Sequence, residues 1–334
     1  MLEPEDDRPM TPKERMAAVL AGGSVPDAVP IWDLGFYCID AATGRHLVCG
    51  REFEALSPAQ RDRALHENAA TIALAAEKYD FAAVSVLSDY WEIAPGEPAY
   101  YWLPPDARLA QAVLIRNLIG KTRMLVGSSG GVMAMPGAQE FEDFCVRLLE
   151  APDEIEERAK RTLAGGLETV AKLRDAGCDI VYTASDVADN RGPFFRPAQM
   201  DRFILPYLRK WAAEVRRMGL WGILHTDGDV HPIMDQLADS GIHALQAIDP
   251  VAGMDMKRAM VQARGRIALC GNLDCGLLLR GPADKVYDAT ASLLDTCKSG
   301  GRLILGASNT LFRETPVAHY DAMHRAWRDH GQCY

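Results

Sequence analysis

The chain has no apolar run near the ~20 residues that a helix needs to cross a bilayer. Its first nine residues, Met1 to Pro9, are acidic and lack the basic region and apolar stretch of a secretory signal. Basic residues are also in deficit: 36 Lys+Arg face 46 Asp+Glu, a formal charge of −10, which argues against a nucleic-acid partner and against an anionic membrane surface. The eight cysteines, Cys38, Cys49, Cys145, Cys178, Cys270, Cys275, Cys297 and Cys333, include no C-x-x-C pair, so neither a disulfide framework nor a zinc ribbon is indicated. The glycine-rich run Gly127 to Gly131 fits neither the Walker spacing nor G-x-G-x-x-G and reads as a tight turn lining a pocket. A cytoplasmic protein is the expectation that remains, with nothing to mark its oligomeric state.

What is present is an ordinary globular composition, 48% hydrophobic and 25% charged over 334 residues. Thr11, Pro12 and Glu14 have the spacing of a capping box with proline at the first helical position, which predicts a leader helix within residues 1–28. From Val29 onward, short apolar runs alternate with longer stretches of helical period. The runs are Val29–Leu34, Phe81–Leu87, Met124–Ser128, Ile180–Ala184, Gly222–His225, Ala244–Ile248, Ile267–Cys270 and Leu303–Gly306. Helical patterns lie between them, among them Arg61–Glu77, Pro152–Asp175, Pro197–Met218, Pro232–Ser240, Ala283–Lys298 and Ala318–Asp329. Eight such units predict a single α/β domain, a (β/α)8 TIM-type barrel over residues 29–334.

Barrel chemistry sits where strands hand over to their following loops. Reading those ends gives Asp33, Ser88-Asp89, Ser128-Ser129, Ser185-Asp186, His225 with Asp227 and Asp229, Asp249, Asn272 with Asp274, and Ser308-Asn309. Each aspartate alone is as readily a helix cap, but several carboxylates at one mouth repel unless they share protons or a cation. His225 and Asp227, two apart at the end of an extended run, point the same way. Three readings stay open for this pair: the two hold a divalent metal such as zinc, Asp227 orients His225, or His225 simply donates to a backbone carbonyl. Tyr90, Trp91, Phe194, Phe195 and Phe312 are either aromatic walls of the pocket or ordinary loop anchors.

Met10-Thr-Pro-Lys-Glu-Arg-Met with Pro26 to Pro30, Pro193-Phe-Phe-Arg-Pro197, Phe203-Ile-Leu-Pro-Tyr207, Ile223 to Gly228, Gly271-Asn-Leu-Asp274 and Thr315-Pro316 together resemble the uroporphyrinogen decarboxylase superfamily, which includes corrinoid-linked methyltransferases. The resemblance implies a distorted (β/α)8 barrel. It also identifies departures. The decarboxylases carry an arginine-rich segment after the first strand, where this chain reads Asp33-Leu-Gly-Phe-Tyr37, and their histidine near the last strand falls on Asn309. The thiol-methylating branch holds zinc by His-x-Cys and one further Cys; the matching positions here are His225, Asp227 and Asn309, with no cysteine beside them. An oxygen-rich set of this kind favours harder cations or none.

The resemblance therefore implies a demethylase that docks a methylated small molecule and passes the methyl group to or from a corrinoid carried by a separate protein. Expected catalytic groups are His225, Asp89 and Asp186. Expected substrate contacts are Asp33, Tyr90, Trp91, Phe194, Arg191, Asn272 and Asn309, and expected metal ligands are His225 and Asp227. Two alternatives stand beside this: a lyase acting on a smaller carboxylate, anchored by Arg191, Arg196 or Arg313, and a non-catalytic ligand-binding barrel.

Overall fold

The computed structural model describes residues 8–23, 26–87, 92–94, 97–98 and 102–333. Seven parallel strands form one sheet in sequential order: β1 Ala83–Ser85, β2 Met124–Ser128, β3 Ile180–Ala184, β4 Trp221–His225, β5 Ala244–Gln246, β6 Ala268–Leu273 and β7 Leu303–Ala307. The eighth place is filled by Ile31, which bridges Phe81 on one side and Leu305 on the other, both in parallel sense. The sheet thus curls into a TIM-type barrel. The first apolar run, expected as a strand over Val29–Leu34, contributes only this bridge. Pro30 has no N–H, so it offers the ladder only its carbonyl, which accepts from Leu305 N–H at 2.9 Å, while Ile31 O accepts from Ala82 N–H at 2.8 Å and Trp32 N–H donates to Leu305 O at 2.9 Å.

Alternation along each strand builds two cores. Met124, Val126, Ile180, Tyr182, Ile223, Ala244, Ala268, Cys270 and Ile304 point into the barrel, whereas the intervening Leu125, Val181, Leu224, Leu245 and Leu269 pack outward against the helices. Helix α1, Pro12–Ala21, begins with the capping box of Thr11 and Glu14 and lays Met16, Val19 and Leu20 on the inward cluster. Lys13 pairs with Asp179 at 2.5 Å, and Arg15 with Asp27 at 2.7 Å and Asp80 at 2.8 Å. This helix covers the amino-terminal end of the barrel, so a ligand approaches from the carboxyl ends of the strands.

The helical pattern over Pro197–Met218 is interrupted. Helix Pro197–Gln199 passes into a π-turn, Met200–Ile204, before α2, Leu205–Arg217. Pro206 cannot donate to the carbonyl one turn back, and the wider turn, with Leu205 N–H on Met200 O, accommodates the missing bond. No helix among the described residues is long and apolar enough to cross a membrane.

Barrel closure also depends on Gly306. A methyl group there would meet the carbonyl of Trp32 and lie 3.1 Å from Asp33 Oδ1, whereas one on Gly300 would meet nothing within 4 Å. Gly306→Ala is therefore expected to lower unfolding free energy by about 1–3 kcal/mol, read in urea titrations, with Gly300→Ala as a near-neutral control. Equal effects from the two substitutions would show that closure does not constrain this position.

Candidate functional site

His225 ends β4 in register with Ala184 of β3 and Gln246 of β5. Ile223, two residues earlier, faces the barrel interior, so His225 does too, and its side chain is 7% exposed. The ring is held by Nδ1 against Gln246 Oε1. The other nitrogen, Nε2, faces two carboxylates, Asp186 Oδ1 at 3.9 Å and Asp227 Oδ1 at 3.8 Å. One ligand atom from each of Asp186, His225 and Asp227 lies within 4.8 Å of the others.

The loops fix these groups through their backbones. Asp186 Oδ1 accepts from Asp227 N–H at 2.9 Å, and Thr226 Oγ1 accepts from Val187 N–H at 3.1 Å, which joins the loops after β3 and β4. Gly228, with φ of +88°, runs so close to Ala188 that a Cβ would lie 2.6 Å from its carbonyl group. Asp227 Oδ2 accepts from Asn309 Nδ2 at 2.7 Å. Asp227 Oδ1 is buried without a hydrogen-bond partner. Burial pushes the Asp227 carboxyl up to about 6, and the neighbouring Asp186 and Asp249 add to the rise while His225 and Asn309 oppose it. Asp249 is also raised, chiefly by burial.

The structure therefore brings four expected residues together: His225, Asp227, Asp186 and Asn309. Asn309 donates to a carboxylate rather than standing free, and its own Oδ1 accepts from Thr310 N–H at 2.6 Å. The other expected residues among those described have partners of their own, although Asp249 is near enough to act on Asp227 through its charge. Asn272 donates to Ile248 O at 3.0 Å. Asp249 and Asp274 cap the turns that follow their strands, accepting from Val251 N–H at 3.1 Å and Gly276 N–H at 2.6 Å. Arg191 is exposed, and its amide donates to Asp189 Oδ1 at 2.7 Å. Phe194 is half-buried in an aromatic cluster, with ring centroids 5.8 Å from Phe141 and 5.0 Å from Phe195. Asp89, Tyr90 and Trp91 lie outside the described residues.

Asp33 is buried, with both oxygens engaged: Oδ1 accepts from Ala307 N–H at 2.7 Å and Oδ2 from the Tyr320 hydroxyl. Burial raises its carboxyl to about 6. Gln246, which sequence reasoning missed, is the polar residue at an inward position of an otherwise apolar run. The alternation of Ala244 and Leu245 carries that signal, but only the register of β4 and β5 shows which side chain it serves.

Comparison with known proteins follows the same lines. The family model for uroporphyrinogen decarboxylase (URO-D) matches residues 114–330. Two curated relatives, methylcobamide:CoM methyltransferase MtaA of Methanosarcina barkeri and its counterpart of strain Fusaro / DSM 804, are each 22% identical over 212 residues, which is 63% of this chain and 59% of theirs. The match thus spans less than two thirds of those relatives. A solved methyltransferase from Methanosarcina mazei is similar in fold, with a TM-score of 0.73 and 20% identity over 96% of this chain and 99% of that one.

The buried Asp33 gives a pH dependence of known sign. Its folded pKa, about 6, exceeds the ordinary value of 3.8, so the native state binds the extra proton. Its contribution to stability is present below the unfolded value and is lost as pH rises through about 6. Relative to Asp33→Asn, the wild type is expected to lose about 2 kcal/mol of unfolding free energy between pH 4 and pH 7, measured by urea titration at each pH. A difference that does not change with pH would mean that Asp33 carries no burial penalty.

Proposed function

The chain belongs to the uroporphyrinogen decarboxylase family, and on that premise we propose that it is a corrinoid-linked methyltransferase of this family, a demethylase acting on a methylated oxygen or nitrogen of a small molecule. The carrying observation is the Asp186, His225 and Asp227 centre at the barrel mouth, rich in carboxylate and free of thiolate. A many-carboxylate porphyrinogen would be repelled there. Cys275, which the fold sets beside Ser308, does not replace the missing zinc thiolates: it donates to Thr310 O at 3.6 Å and is raised to about 11 by burial.

Removing a methyl group from oxygen or nitrogen leaves an anion or amine that must take up a proton. Asp227, with its carboxyl raised to about 6 and Oδ1 without a partner, is placed to take up and release such a proton at the centre. His225 Nε2, 3.8 Å from that oxygen, is a second group that takes up and returns a proton there. Asn309 keeps Asp227 oriented, and Asp186 fixes the loop that carries it. Asp89, Tyr90 and Trp91, which lie outside the described residues, and Phe194 stay in the proposal as the substrate contacts that the sequence leads one to expect. The corrinoid, held by its own carrier protein, supplies the cobalt that exchanges the methyl group.

One observation favours a second reading. Nitrogen and oxygen donors converge while Asp227 Oδ1 is left unpaired, a set that fits a divalent cation taking such ligands better than thiolate zinc. A cation held by Asp186, His225 and Asp227 would polarise the atom bearing the methyl group.

His225→Ala is expected to lower methyl transfer to a corrinoid protein by at least about 100-fold without changing the circular dichroism spectrum. Full activity in this variant would remove the centre from the reaction. Elemental mass spectrometry of the purified protein and of Asp227→Ala separates the two modes: near-stoichiometric metal lost in the variant supports the cation, and metal in neither supports proton donation.

A further inference from the structure

Gln246 has a role at this centre beyond filling the barrel interior. It is 1% exposed and ends β5 beside His225. Its Nε2 lies 3.4 Å from Ala307 O and 3.3 Å from Ser308 O. Both are carbonyl oxygens, which only accept, so the amide NH2 must face them. The amide oxygen is then fixed toward His225 Nδ1. An oxygen without a proton can only accept there, so Nδ1 must be the nitrogen that carries hydrogen. In the neutral ring, Nε2 then presents its lone pair to Asp186 and Asp227. The same amide ties the centre to the loop after β7, where Asn309 donates to Asp227. The result is a ring of contacts running from His225 through Gln246, the backbone of residues 307–308 and Asn309 to Asp227.

We propose that Gln246 is a positioning residue that locks His225 in the Nδ1–H tautomer, so that Nε2 stands as a free acceptor between the two carboxylates. The proposal rests on the site assignment above but not on methyl transfer. A lone pair facing two carboxylates has a single use, to receive a proton or a cation, and an imidazole free to carry hydrogen on Nε2 would block it.

The test uses the full chain labelled with 15N-histidine, with the His225 signals assigned by their loss in His225→Ala. Long-range 1H–15N spectra are recorded at a pH where the ring is neutral. The wild type is expected to show only the Nδ1–H form. Gln246→Leu should admit the Nε2–H form, and Gln246→Glu, which keeps an acceptor at the same place, should restore Nδ1–H. Titration with Zn2+ alone gives a second readout: Gln246→Leu should weaken binding by about 10- to 100-fold, with recovery in Gln246→Glu. A Gln246→Leu protein that keeps a pure Nδ1–H ring overturns the proposal, as does a wild type with a mixed population. If Gln246→Leu does not fold, the wild-type spectrum decides it: a mixed or Nε2–H ring overturns the proposal. Loss of the tautomer lock and loss of methyl transfer are read separately, so failure of one reading does not conceal the other.

Discussion

Closure of the barrel rests on one residue. Ile31 is the place where the first and last elements of the sheet meet: its carbonyl accepts from Ala82 N–H, and its neighbours Pro30 and Trp32 bond to Leu305. Without that bridge the seven strands would form an open curved sheet with exposed edges at β1 and β7. With it, the strand ends form a ring, and side chains from β3, β4 and β7 reach a common centre. Asp33 and Gly306 serve the same joint, one by binding Ala307 N–H and the other by letting Trp32 approach.

The second constraint is directional. Helix α1 fills the amino-terminal end with Met16, Val19 and Leu20, so the apolar interior is sealed there and polar residues gather at the opposite end. His225 stands just where the inward column beginning with Ile223 gives way to the loops. That border explains its chemistry. Enough protein surrounds Asp227 to raise its carboxyl, and its neighbours Asp186 and Asp249 reinforce the rise. Where the family resemblance placed thiolates, this chain places a carboxylate and the amide that hydrogen-bonds to it, so a liganding pair has become a donor–acceptor pair.

Much of this was legible in the sequence because barrel folds write themselves in period. The runs at Met124–Ser128 and Ile180–Ala184 and the helix at Pro152–Asp175 coincide with the structure, since strong alternation or a proline-led helical stretch leaves little choice. The first strand was overestimated because an apolar run does not reveal that Pro30 withholds a donor. The π-turn at Met200–Ile204 was hidden because Pro206 announces a disturbance and not its form. At the site, His225, Asp186 and Asp227 could be read from strand ends. The engagement of Asp33 by Tyr320 and of Asn272 by Ile248 could not, because hydrogen bonds across the barrel depend on which loops meet. Gln246 needed the register of two strands.

The bridge at Ile31 also sets an order of events during synthesis. The partners that complete its pairing are far along the chain, as the 274 positions between Asp33 and Ala307 make plain. On the ribosome, residues 30–33 must therefore wait with one edge and a buried-to-be carboxylate unsatisfied until the last strand emerges. Helix Val317–His330 follows that strand and brings Tyr320 to Asp33 and Trp327 to Val29 O. The ring closes last, and the centre at its mouth is assembled only when almost the whole described chain has been made.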